Sequence, residues 1–297
     1  MKKSSLLILL LVGVFIAVGF IIMVSLFFAD FDAGLWSGEK VAIIDMKGPI
    51  SDSSGPLSAS INPEEAQKLF RAANEEDSIK AIVLRVNSPG GGVVASKELM
   101  RIVKSSEKPV VAWVGDMAAS GAYYMISGAD HIVADEDSLI GGIGVITTLT
   151  TYEELFKKIG INVTVIASGK YKDLGSSHRE PREDEIENLE HIVGEIHKHF
   201  IEDIANNREL SQEQVDEISE GRLFLGSEAL EKLMVDENGG FQKAFEKAKN
   251  VAESPDAEPY YMDAHSGLAE ELFGLSYSLG RGVGDSFNVK LKQHLST

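Results

Sequence analysis

The sequence predicts an α/β fold with a largely parallel sheet, an α-rich flank and one N-terminal transmembrane helix. Three observations carry that expectation. From residue 41 to about residue 167, β-rich runs alternate with stretches of helical spacing, the pattern of parallel strands joined by crossover helices. Beyond Glu180 the spacing becomes helical over long runs. Ahead of both stands an uncharged apolar run, Leu6 to Phe28.

The apolar run comes first in the chain. Met1 to Ser5 holds two positive charges, Lys2 and Lys3, and the 23 residues that follow would extend roughly 34 Å as a helix, enough for a hydrocarbon core of about 30 Å. A cleaved secretory signal has a shorter apolar region and ends in small residues, whereas Leu26-Phe27-Phe28-Ala29-Asp30 offers no such site. An uncleaved anchor through membrane lipid is therefore expected. The two lysines place residues 1–5 in the cytoplasm and everything after Asp30 outside, a single pass through the cell membrane. Residues 29–40, with Gly34 and Gly38, read as a linker.

Val41-Ala-Ile-Ile-Asp-Met is the first expected strand. Pro63 to Ala73 has acids in its first turn and helical apolar spacing, and Lys80 to Val86 is a β-rich run. The alternation repeats as helix Val93–Ser105 with strand Val110–Val114, helix Ala122–Ala129 with strand His131–Ala134, and helix Tyr152–Ile159 with strand Asn162–Ile166. Glu183 to Asn207 is one amphipathic helix, and Ser211 with Gln214 forms a capping box for the next. Val251 to Pro259 is polar and proline-punctuated. It is expected to separate a folded domain, residues 41–250, from a flexible tail ending at Thr297.

Composition narrows the chemistry. The chain has no cysteine, which excludes disulfides, thiolate metal sites and cysteine nucleophiles. With 28 basic against 46 acidic residues the net charge is −18, the wrong sign for a nucleic-acid binder, and no local basic patch offsets it.

Three segments carry candidate chemistry. Asn87-Ser-Pro-Gly-Gly-Gly-Val93 follows a strand and precedes a helix; its glycines suit either an ordinary tight turn or a cradle of backbone N–H groups for an anion. Met117-Ala-Ala-Ser-Gly-Ala-Tyr-Tyr-Met125 occupies the same kind of junction. Ser120 there is either a helix N-cap or a hydroxyl exposed where the helix start favours an oxyanion. The segment is not a GxSxG elbow, because Ala118, Gly121 and Ala122 stand in the wrong places. Ser168-Gly-Lys-Tyr-Lys-Asp-Leu-Gly175 brings Lys170 and Lys172, either solvated or serving as a base. For a lysine to act as a base near neutral pH its pKa must fall from about 10.4 to about 7, roughly 4–5 kcal/mol, which burial can supply.

Taken together and in this order, the three segments resemble the short form of the signal peptide peptidase A family, membrane-anchored Ser/Lys proteases of the Clp-crotonase fold. The resemblance runs from about Val41 to Gly240 and includes the Gly221–Gly240 stretch with GRLFLGSEA and VDENGG. It implies a Clp-crotonase-like spiral of ββα units, Ser120 as nucleophile, Lys172 as general base, and the amides of Gly91 and Gly121 as oxyanion donors. It further implies no cofactor or metal, signal peptides as substrates, and a homo-oligomer whose sites are shared between protomers. Many relatives carry a serine two places before the Gly-Val pair that helps hold the lysine; here Gly142 stands there, leaving Thr147, Thr148 and Tyr171 as replacements. The tail from Tyr260, with Leu268, Leu272 and Phe273, is in reach of a neighbouring active site on this reading.

Rival readings exist. His131 with Asp130 sits at a strand start and reads as structural. His191, Glu195 and His199 share one helix face without an HExxH pattern and read as solvated. A crotonase-type acyl-CoA enzyme shares the fold, and a noncatalytic membrane scaffold would share the anchor; Lys172 beside the anchor argues against the first, and Ser120 with Lys172 against the second.

Overall fold

The computed structural model describes residues 38–52 and 60–263. The expected anchor Leu6–Phe28, most of the linker and the tail beyond Asp263 lie outside the described residues. Among those described, no helix is long and apolar enough to cross a membrane.

Strand β1 (Lys40–Lys47) is buried along Val41–Ile44, and successive side chains feed opposite faces of the sheet. Helix α1 (Pro63–Glu75) follows. Asn62 caps it by accepting from the amides of Glu64 at 2.8 Å and Glu65 at 3.3 Å, and Pro63 occupies its first turn. Next come β2 (Ile79–Ser88), α2 (Val93–Lys104), β3 (Val110–Ala119), α3 (Gly121–Ile126), β4 (His131–Ala134) and β5 (Leu139–Gly141). The remaining elements are α4 (Glu153–Ile159), α5 (Glu183–Arg208), α6 (Gln212–Ile218), β6 (Leu223–Leu225), α7 (Gly226–Glu231), β7 (Glu237–Asn238), α8 (Phe241–Val251) and β8 (Glu258–Met262).

These strands form one sheet in the order β6-β5-β3-β2-β1-β8, with β4 and then β7 branching from β3. Every pairing is parallel except β5 with β6. The expected parallel α/β architecture is therefore present. Strand β3 is shared along its length: Val111–Val114 pairs β4, whereas Met117–Ala119 pairs β5. Toward its carboxyl end β3 stays paired with β2 through Ala118 and Ser88, past a register shift after Val86.

Both faces of the sheet are covered, as parallel strands require. On one face Ala42, Ile44, Leu84 and Val114 pack against Phe70 of α1, Leu99 of α2, Tyr123 of α3, and Phe200 and Ile204 of α5. On the other, Val41, Ile43, Val83 and Val111 pack against Ala244, Phe245 and Ala248 of α8. Burying each such aliphatic side chain contributes roughly 1.5–3 kcal/mol.

Two expectations are corrected. Asn162–Ile166 forms no strand, and residues 161–170 are all exposed, because no sheet edge of the described residues lies beside this β-prone run to take up its backbone groups. The proline-punctuated segment does not end the sheet either. Glu258–Met262 pairs in parallel with Lys40–Ile44, so the chain returns to the sheet after residue 257. The capping box on α6 is formed: Ser211 N donates to Gln214 Oε1 at 2.8 Å, and Gln214 N donates to Ser211 Oγ at 3.4 Å.

Candidate active site

The carboxyl ends of β2 and β3 lie side by side, the place where open parallel sheets bind ligands. After β2 the chain turns through Pro89-Gly90-Gly91-Gly92 into α2, and after β3 it turns through Ser120 into α3. The two turns are packed at a spacing only glycine permits. A Cβ on Gly90, whose φ is +89°, would stand 2.6 Å from both Ala119 O and Gly121 N.

Ser120 has φ 52° and ψ −122°, a backbone that L-residues rarely adopt. Its amide donates to Gly141 O at 2.6 Å and its carbonyl accepts from Tyr124 N at 3.0 Å, so the strained turn is held at both ends. No side-chain cap is made, and the Ser120 hydroxyl has no hydrogen bond among the described residues. The N-cap reading is thus not what the structure shows. Although the GxSxG pattern is missing, the strand-to-helix elbow is present, because small residues at Ala118, Ala119, Gly121 and Ala122 leave room for it.

The glycine turn presents one amide to the same place. Ile50 N donates to Gly90 O at 2.9 Å and Gly92 N donates to Ile50 O at 3.0 Å, while Gly90 N donates to Ser88 Oγ at 3.1 Å. Gly91 N has no hydrogen-bond partner among the described residues. Gly121 N, the first amide of α3, has no intrahelical acceptor. A Cβ on Gly121 would lie 3.2 Å from Gly91 N, so the two glycines are packed side by side. Ser120, Gly91 and Gly121 line one cavity of about 110 Å³ with Tyr124, Ile146 and Phe200. A hydroxyl beside two free amides can attack a carbonyl and leave its oxygen as an anion within their reach.

Sequence reasoning missed the cavity's other walls. Tyr124 and Phe200 stack at 4.4 Å, and Tyr124 Oη donates to Asp203 Oδ2, which also pairs with Lys97 at 2.8 Å. Burial and then the Asp203 carboxylate push the Tyr124 phenol up, so it stays a neutral donor. Only the aromatic about one helical turn past Ser120 hinted at this.

Lys172 is not among the residues lining that cavity; it is exposed, in a run of turns at 170–175. The burial expected from sequence is therefore absent within one chain. The structure nonetheless separates the two lysines. Lys170 Nζ pairs with Asp184 Oδ2 at 2.5 Å, and that contact holds its pKa above the ordinary lysine value, the wrong direction for a base. Lys172 makes no ion pair or side-chain hydrogen bond among the described residues.

Gly142 has φ +62°, and a Cβ there would stand 3.3 Å from Ser120 N, so this position favours glycine. Tyr171 is turned to Lys170, whose Nζ lies 5.1 Å from its ring, and Thr147 and Thr148 are exposed. The histidines behave as expected. His131 Nε2 lies 3.1 Å from Glu237 Oε1, burial pushes its pKa down, and His191, Glu195 and His199 are exposed. No metal-holding group of acids and histidines occurs among the described residues.

A parallel sheet that delivers a serine from a tight elbow to paired glycine amides is the layout of a serine hydrolase with a Clp-protease-like fold, and the Clp protease family model matches residues 54–133. The model of peptidase family S49 matches residues 102–254. The chain is 35% identical over 96% of its length, and 95% of the relative's, to the Methanocaldococcus jannaschii protein named "Putative protease MJ0651". It is 36% identical over 75% of its length to the chloroplastic serine protease SPPA of Arabidopsis thaliana, and 33% identical over 71% to Protease 4 of Haemophilus influenzae. It spans about a third of those two longer proteins, 34% and 35%. The chain belongs to peptidase family S49, and it is a serine protease.

Proposed function

We propose that this protein is a membrane-anchored endopeptidase that uses Ser120 and Lys172 to degrade residual signal peptides after their release from secreted proteins. The observation that carries the proposal is the unbonded Ser120 hydroxyl on a strained elbow beside the free amides of Gly91 and Gly121. A relative from Enterococcus faecium named "Putative signal peptide peptidase SppA" is 29% identical over 83% of this chain and 74% of its own length, which supports the substrate class.

In this mechanism neutral Lys172 takes the Ser120 proton, and the alkoxide adds to the peptide carbonyl. The oxyanion is held by Gly91 and Gly121 amides. Collapse breaks the C–N bond, and the lysine proton passes to the leaving amine. Lys172 then takes a proton from water, whose hydroxide attacks the acyl-serine; collapse breaks the ester C–O bond, the lysine returns its proton to Ser120 Oγ, and the acid is released. The backbone of residues 144–150 makes no backbone hydrogen bond among the described residues, and Ile146 is 91% exposed beside the cavity. An extended peptide can pair with that edge.

An exposed Lys172 needs its water removed, and a neighbouring protomer supplies that in a homo-oligomer. Exposed apolar side chains at Leu155, Ile159, Val165 and Ile166, the last 96% exposed, support such an assembly. The unpaired Asn162–Ile166 run would find its sheet edge there.

Ser120→Ala and Lys172→Ala should each reduce cleavage of an internally quenched signal-peptide substrate to background. Retention of activity by either one sinks the proposal. With Ser120 and Lys172 of each site contributed by neighbouring protomers, co-assembly of the two inactive chains should restore cleavage, because one site in the mixed particle would combine an intact serine with an intact lysine.

A further inference from the structure

We infer that Arg179, Arg182 and Glu185 form an ionic clamp that positions the Lys172-bearing turn, doing for a segment without regular secondary structure what a helix or strand does for an ordinary catalytic side chain. The inference rests on Lys172 being the base.

Glu185 is the third residue of α5 and is 1% exposed, an uncommon place for a carboxylate. Four N–H groups meet it. Arg179 donates through Nη1 at 2.8 Å and Nη2 at 2.6 Å, Arg182 Nη2 lies at 2.6 Å, and the Arg182 amide donates at 2.9 Å. Burying such a group costs desolvation that the pairing only roughly offsets, so stability is a weak reason for it. Geometry is a better one. Both guanidinium groups reach past Glu185 to the turn that carries Lys172.

On the amino-terminal side of Lys172, Arg182 Nη2 donates to Lys170 O at 2.6 Å, and Asp184 takes the Lys170 ammonium at 2.5 Å. On the carboxyl-terminal side, Arg179 Nε donates to Asp173 Oδ2 at 2.9 Å, and Arg182 Nη1 lies 3.8 Å from Asp173 Oδ1. Within the turn, Lys172 N reaches Gly169 O at 3.3 Å and Leu174 N reaches Tyr171 O at 3.2 Å, contacts too few to fix it alone. The residues on either side of Lys172 are tied to the start of α5, and Lys172 alone is left unpaired. A planar fork with fixed donors suits this bridging, which a lysine in the place of either arginine would not reproduce.

The clamp makes Arg179, Arg182 and Glu185 positioning residues, since none of them lines the Ser120 cavity. A displacement of about 1 Å at a catalytic group costs on the order of 10²-fold in rate. The test compares Glu185→Gln, Asp173→Asn and Lys172→Ala in the full-length protein, with an internally quenched peptide as substrate. Glu185→Gln and Asp173→Asn should lower kcat on the order of 10- to 100-fold with KM unchanged within about twofold. The Lys172 amine should also be modified by acetic anhydride at an altered rate relative to Lys68, an exposed lysine far along the chain. Asp173→Asn leaves Glu185 its four donors and so decides the matter if Glu185→Gln does not fold. Inactive Lys172→Ala together with wild-type kcat and labelling in the other variants would overturn the clamp and leave the dyad standing. Active Lys172→Ala would overturn the dyad itself, and the clamp with it.

Discussion

The carbonyl oxygen of Ile50 stands 2.0 Å from where a Cβ on Gly91 would be, so the loop after β1 meets the glycine turn after β2 at a spacing that leaves no room for a side chain. The contact seats the turn through the Gly92 amide on one side and the Gly90 carbonyl on the other. What is left over is the Gly91 amide, which has no partner among the described residues and belongs to a residue lining the Ser120 cavity.

Gly91→Ala must therefore push backbone aside, not merely fill space. We expect kcat to fall by about 10²–10³-fold, as for loss of one oxyanion donor, with a measurable drop in Tm. Steady-state kinetics alongside a thermal melt checks both; a variant with wild-type kcat would show that this amide takes no part.

Gly142→Ser introduces the hydroxyl that the family resemblance leads one to expect at this place, yet the φ of +62° makes it costly. A destabilisation of about 1–2 kcal/mol is expected by denaturant titration, with no gain in kcat/KM. A rise in activity would mean that a hydroxyl here reaches the lysine after all.

Phe200 closes the small cavity against Tyr124. Phe200→Leu should shift preference at the residue before the scissile bond from small toward bulkier apolar side chains, by about 10–200-fold in the ratio of kcat/KM values. Paired substrates differing only there provide the measurement. An unchanged ratio would place the specificity pocket elsewhere.

Asp184 is held at a pKa of about 2 by its hydrogen bond to Lys170, below the ordinary carboxylate value of 3.8. A depressed carboxylate contributes stability that is fully present above its unfolded pKa and is lost as pH falls through the folded one. Asp184→Asn should thus destabilise the protein at pH 6, and the difference from wild type should fade between about pH 4 and pH 2. Urea titrations at several pH values would reveal it; a difference constant down to pH 2 would contradict the assignment.

Much of the architecture was legible because it is periodic. The buried runs at Val41–Ile44 and Ala81–Leu84, and the helix between them, follow local hydrophobic pattern, which a single sequence records faithfully. Asn162–Ile166 misled because β-propensity describes a residue's fitness for a sheet and says nothing of whether a neighbouring edge exists. Glu258–Met262 was hidden for the converse reason: an edge strand with Pro259 looks like linker until β1 is there to pair with it. The Ser120 elbow escaped motif reading because small neighbours, not a fixed pattern, make room for it.

Composition and local order alone settled the cysteine-free chemistry, the acidic surface, the α/β alternation and the glycine and serine segments at strand ends. Only the folded chain decided that Ser120 is a strained, uncapped hydroxyl, that Gly91 and Gly121 line one cavity with it, and that Lys170 is paired while Lys172 stands apart. The division has a physical cause. Hydrophobic periodicity is a short-range property of neighbouring residues, whereas the direction of a free N–H or the partner of a charge depends on which distant segments the sheet brings within about 3 Å.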